Sequence, residues 1–168
     1  SKSVPVTILS DNLDESDETV NLTLSSPVNA VLGTPSTAVL TIVDDDPMPA
    51  CFFSSATYSV GEAGGIATIT VNLSNPSSLT VTCNYATSNG TATAGADYEA
   101  TSGTLTFTPG QTSKTFTVVI TNDTIDESNE TVNLTLSSPV NASLGIPSTA
   151  VLTIVDDDGP GASFRIML

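Results

Sequence analysis

Apolar and polar side chains alternate with a period of two through most of this chain. Ala67, Ile69, Val71 and Leu73 share one parity, with Thr68, Thr70 and Asn72 between them, and Val81, Cys83 and Tyr85 alternate with Thr82 and Asn84. Leu105 and Phe107 lead into Pro109-Gly110, a turn, and Phe116, Val118 and Ile120 follow it. Val132, Leu134 and Leu136, then Ala150, Leu152 and Ile154, complete the series, with Ser138-Pro139 expected to break the chain between them. Alternation of this kind gives each strand one core face and one wet face. With a further strand between Cys51 and Val60, it predicts about seven short strands per unit and an all-β antiparallel sandwich. The wet faces account for the many strand Thr and Asn residues.

The pattern occurs twice. Ser1-Lys2 through Asp46 is restated by Ser113-Lys114 through Asp158 at an offset of 112, and the stretch Thr19 to Ser26 recurs unchanged at Thr131 to Ser138. The expected organisation is therefore the last part of one module at 1–46, a complete module at 47–158, and the start of a further module at 159–168. Pro47-Met48-Pro49 is a linker too short and too stiff for free movement of neighbours. The chain begins inside a repeat and without an initiator Met, so the expectation is a piece of something longer. Residues 1–46 alone supply only about three strands, which leaves an apolar face uncovered.

Charge adds a second pattern. Asp and Glu number 18 against three Lys and Arg, a net charge of −15, which excludes electrostatic binding to nucleic acid or to an anionic membrane. The acids are segregated at 11–18, 44–46, 62, 97–99, 123–130 and 156–158, outside the predicted strands. An ordinary solubilised surface interleaves both signs. Asp123, Glu127 and Glu130 are spaced so that one compact turn aims three carboxylates into one volume, close to Asp156-Asp157-Asp158; such crowding is costly without a cation. Oxygen-only ligands suit calcium better than zinc or copper, which want His or Cys. The same acids recur in the first copy as Asp11, Glu15, Glu18, Asp44, Asp45 and Asp46. Asp14, Asp17, Asp126 and Glu99 read as surface charges, and Cys51 and Cys83 as buried thiols.

Enzyme chemistry finds no support in these residues. With no His, neither a Ser triad nor a Cys-His pair can be built in its usual form, and no Walker-type phosphate loop is present. Without Trp and with few aromatics, the acids lack the sugar platforms of a glycosidase.

Five stretches in order carry a family resemblance: Tyr58 to Glu62, Gly90 to Tyr98, Ser102 to Gly110, Asp123 to Glu130 and the triple Asp at 156–158. Together they resemble the Calx-beta domain, known from sodium/calcium exchanger regulatory loops, integrin β4 and large repetitive surface proteins. The resemblance implies an immunoglobulin-like sandwich that binds calcium at one end. Carried over, Glu62, Asp97, Asp123, Glu127, Glu130, Asp156, Asp157 and Asp158 match ligand positions, and eight carboxylates imply more than one ion. Asn122 stands where high-affinity members can have an acid, which implies a weaker site. The partial first copy lacks the counterparts of Glu62 and Asp97, so its site is expected to be incomplete.

The expected function is a calcium-binding structural or adhesion module of a larger extracellular or cell-surface protein, with calcium and the neighbouring modules as partners and no direct insertion into membrane. A regulatory calcium sensor on a membrane transporter is the alternative. A third reading keeps the sandwich, dispenses with metal and binds a protein or surface partner through a sheet edge.

Overall fold

The computed structural model describes residues 2–159, so the expected start of a further module lies, apart from Gly159, outside the described residues. Eleven strands form in chain order: β1 (Glu18–Thr23), β2 (Thr37–Ile42), β3 (Ala50–Phe53), β4 (Thr57–Gly61), β5 (Ile66–Leu73), β6 (Val81–Asn89), β7 (Ser102–Phe107), β8 (Ser113–Val119), β9 (Glu130–Val140), β10 (Ser143–Leu144) and β11 (Thr149–Val155). A sheet ordered β10-β3-β5-β8 faces one ordered β4-β11-β9-β6-β7, while β1 and β2 make a separate two-stranded ribbon. No helix among the described residues is long and apolar enough to cross a membrane.

The alternation identified the core. Ile69, Val71, Cys83, Val118, Val132, Leu134 and Leu152 are all fully buried between the two sheets, and Tyr85, half-buried, stacks on Phe116 with ring centroids 4.0 Å apart. Each buried aliphatic side chain contributes roughly 1.5–3 kcal/mol, so this layer carries the fold. The Cys51 and Cys83 thiols are buried and unbridged.

Three local expectations need correction. The stretch Cys51 to Val60 is two strands, because the chain crosses between sheets: β3 pairs with β5, and β4 runs parallel to β11 in the other sheet. Ser138-Pro139 does not end its strand. β9 continues to Val140 through a bulge in which Ser138 takes φ 47° and the register against β6 shifts between Thr82 and Asn84. Pro139 sits there because a bulge does not need the amide hydrogen that proline lacks. The acids are not wholly outside strands either, since Glu18 and Glu130 open β1 and β9.

Residues 1–46 form two strands rather than three, and the repeat explains why. β1 and β2 pair with the register of β9 and β11, so that Val20 faces Leu40 as Val132 faces Leu152. The counterpart of β8 is the segment around 2–7, and β8 is held by its ladder to β5, a partner that the first copy lacks. Leu22 is 38% exposed where its repeat mate Leu134 is fully buried.

Glycine is required at Gly90, where an added Cβ would run into the Thr131 carbonyl oxygen and hydroxyl on β9. The carbonyl accepts the Gly90 and Ala92 amides and the hydroxyl accepts the Thr91 amide, so neither is free to retreat and Gly90→Ala should destabilise the complete module by about 1–3 kcal/mol. Gly61→Ala, whose Cβ would meet nothing within 4 Å, should change stability by less than about 1 kcal/mol. Urea unfolding of the two variants checks the contrast, and equal stabilities would contradict it.

Candidate metal centre

Four loops at one end of the sandwich carry the acids. After β4 the chain makes a single 3-10 turn, Glu62–Gly64, closed by Gly65 at φ 67°, a left-handed conformation that glycine tolerates. That turn swings Glu62 inward until it is 6% exposed, where Oε1 accepts the Asp123 amide at 2.9 Å. Between β6 and β7, the Asp97 carboxylate accepts the Thr93 amide at 2.7 Å. The following Tyr98 is fully buried and donates its hydroxyl to Asn89 Oδ1 at 2.8 Å.

The β8–β9 loop starts with an Asx turn in which Asp123 Oδ1 accepts the Ile125 amide at 2.7 Å. It ends where Asn129 Oδ1 accepts the Asp156 amide at 3.1 Å, so the acidic loop holds the stretch that leaves β11. Both bonds recur in the first copy: Asp11 Oδ1 accepts the Leu13 amide, and Asp17 Oδ1 accepts the Asp44 amide. Asp17 is therefore more than a surface charge. Its role and that of Asn129 escaped the sequence reading, although an acceptor oxygen at the same place in both copies was the available signal.

The complete module gathers its carboxylates into two groups. Oxygens of Glu62, Asp123 and Asp158 lie within 4.8 Å of one another, as do those of Asp97, Glu127 and Glu130. Glu62, Asp97, Glu127, Glu130 and Asp156 also line a cavity of about 10 Å³, the size of one water-sized sphere. Asp157 stands apart: it is exposed, belongs to neither group, and accepts the Ala63 amide at 3.3 Å. In the first copy Asp11, Glu15 and Asp44 to Asp46 line an open hollow of about 350 Å³, unclosed because nothing stands in for Glu62 and Asp97.

Crowding raises proton affinity. Burial, a hydrogen bond with Asp97 and the charges of Asp97, Glu127 and Glu62 push Glu130 up to about 7. Glu127 is raised by desolvation and then by Asp123 and Asp97, and Asp158 by desolvation and then by Asp157 and Asp156. Glu15 and Asp46 of the first copy shift the same way, each by desolvation first, then by Glu18 and by Asp44 respectively.

Two oxygens supply a test of fit. Asp156 Oδ1 and Asp158 Oδ2 are buried and have no hydrogen-bond partner among the described residues. Buried carboxylate oxygens are rarely left so, because stranding one costs a kcal/mol or more. An all-oxygen donor set with orphaned, inward-facing lone pairs fits a hard cation of the calcium type.

Comparison with known proteins places this geometry. The model of the Calx-beta domain matches residues 1–46 and again 44–158. Extracellular matrix protein 3 of Lytechinus variegatus is 36% identical over 95% of this chain, and sodium/calcium exchanger 1 of Rattus norvegicus is 37% identical over 71% of it. The chain spans only 6% and 14% of those relatives. Among solved structures, the apo-form Calx CBD1 domain superposes with a TM-score of 0.64 at 29% identity, covering 67% of this chain and all of that one. The calcium binding domain CBD12 of CALX1.1 superposes with 0.62 at 30% identity, covering 64% of this chain and 46% of that one. The sandwich is thus of the immunoglobulin-like kind seen in those domains, and the chain belongs to the Calx-beta domain family.

Proposed function

We propose that the complete module is a calcium-binding structural unit of a larger repetitive surface protein, in which metal orders the acidic loops and stiffens the junction to the next module. The observation that carries this reading is the pair of carboxylate trios with two orphaned oxygens beside them. Glu62, Asp123 and Asp158 would hold one ion and Asp97, Glu127 and Glu130 a second, with Asp156 lining the same cavity as Glu62 and the second trio. A divalent cation supplies neutralising charge there, and its binding free energy adds to folding. Without it the carboxylates repel one another across the four loops, and Glu130 takes up a proton instead.

The relatives support two settings unequally. The matrix protein aligns with nearly the whole chain, including the partial copy and the linker, which favours tandem use at a cell surface. The exchanger aligns with less of it and supports a second reading, a regulatory sensor whose loop ordering is transmitted as a signal. Affinity separates the two: a surface stiffener fills at 10⁻⁴–10⁻³ M calcium, roughly, and a sensor at about 10⁻⁷–10⁻⁵ M.

Thermal unfolding in a calcium series is the test. At a hundredfold excess over the dissociation constant the module should gain about 2.7 kcal/mol, or on the order of 10 °C in midpoint, with little response to magnesium. Glu127→Gln with Asp158→Asn should abolish the gain and leave the β-sheet circular dichroism intact; an undiminished gain sinks the assignment.

Acidity should modulate the same readout. Glu130 has a folded-state pKa raised from 4.5 to about 7, so the folded state binds this proton more tightly than the unfolded chain. Its contribution to stability is full below about 4.5 and disappears as pH rises through about 7. In EDTA the midpoint should therefore fall between pH 5 and 8, roughly, and the calcium-induced gain should grow over the same interval as protons cease to compete. Glu130→Gln should flatten the EDTA slope, and an unchanged slope would refute the role given to this group.

A further inference from the structure

Among the described residues two polar or charged side chains are buried, Glu62 in the acidic site and Ser77 far from it, in the β5–β6 loop. The Ser77 hydroxyl meets the preceding copy. Its hydroxyl lies 2.6 Å from Asp14 Oδ2 and donates to it, while Ser77 Oγ accepts the Leu79 amide at 3.1 Å. The backbones add two bonds, Asp14 N–H to the Pro76 carbonyl at 3.2 Å and Ser78 N–H to the Asp14 carbonyl at 2.9 Å, which make a short parallel bridge between the modules. The linker is fastened beside it, with Asn75 Nδ2 donating to the Pro47 carbonyl at 2.7 Å and Pro49 fully buried.

Asp14 lies in the acidic loop of the first copy yet directs its carboxylate to Ser77, and Asp126 holds the equivalent place in the second copy, exposed and without a backbone partner among the described residues. We propose that Asp14 is a docking residue: the acidic loop of one module seats on the β5–β6 loop of the next by a carboxylate-to-hydroxyl bond and a two-bond backbone bridge. Asp126 then offers the same surface to a following module that carries a hydroxyl where this one has Ser77. The chemistry is selective. A carboxylate accepts only, so the seat must present a donor, and a seat bearing an acid is rejected.

The contact rests on hydrogen-bond geometry and stands whether or not the loop binds metal. It also sits between Asp11 and Glu15, so anything that orders those acids orders the docking residue with them.

The two copies provide an internal control. Asp14 and Asp126 lie in similar sequence, so their amides have similar intrinsic exchange rates, and the difference between them reports the docking. NMR amide exchange on the whole chain in EDTA should show the Asp14 and Ser78 amides protected about tenfold or more relative to Asp126. Asp14→Ala should abolish the Ser78 protection, Ser77→Ala should bring Asp14 close to Asp126, and Asp126→Ala should alter neither. Equal exchange of Asp14 and Asp126 in the unmodified chain, or Ser78 protection that survives Asp14→Ala, overturns the proposal. The calcium response of the thermal midpoint, read on the same samples, tests the metal reading separately.

Discussion

Repulsion among carboxylates that the chain has no cations to offset is the constraint around which this structure is arranged. Three basic residues cannot neutralise 18 acids, and Lys114 and Lys2 lie on the strand β8 and its unpaired repeat mate, not among the acidic loops. The module therefore holds eight acids at one end by other means. Backbone amides accept part of the load: those of Asp123, Thr93, Ile125 and Ala63 point at Glu62, Asp97, Asp123 and Asp157. Proton uptake at Glu130 takes another part. The remainder is left as orphaned oxygens at Asp156 and Asp158, buried without a hydrogen-bond partner among the described residues.

The sandwich can tolerate this strain because the two jobs are separated in space. Stability comes from the apolar layer between the sheets, centred on Ile69, Val118, Leu134 and Leu152, whereas the acids sit beyond the strand ends. The link between the two is rigid at particular points. Glu130 opens β9 and Asp156 directly follows β11, and those strands pair up to Ile154 against Glu130, so the ladder fixes the spacing of the loops it emits. The loops can then change their order without disturbing the apolar layer that carries the fold.

Most of the fold was legible because alternation reports burial directly: every inward residue named from the pattern is buried or half-buried. What escaped depended on partners far away in sequence. The split of Cys51 to Val60 arises from a change of sheet, and the survival of β9 past Pro139 from a bulge against Thr82 to Asn84, and neither leaves a local trace. In the site, the acids were visible from their segregation and from the repeat, but their division into two trios was not, because it depends on how Glu62 folds back onto Asp123. Asp14 looked like a solvated charge since its acceptor role needs Ser77, 63 positions along the chain.

The two copies together separate what local sequence specifies from what the rest of a module must supply. The Asx turn at Asp11 and the cap from Asp17 to the Asp44 amide form in the first copy as they do in the second, although half of its sandwich is absent. The β1–β2 register forms as well, since its antiparallel partners lie within the same 46 residues. In the complete module β8 pairs with β5, and the cavity at the acids is lined by Glu62 and Asp97, so these features draw on segments outside the stretch equivalent to 1–46. Loop geometry around the acids is thus encoded locally, while the enclosure of the acidic cluster draws on loops from across the module. The contact of Asp14 with Ser77 forms alongside them, carried by that same acidic loop and a hydroxyl on the neighbouring module.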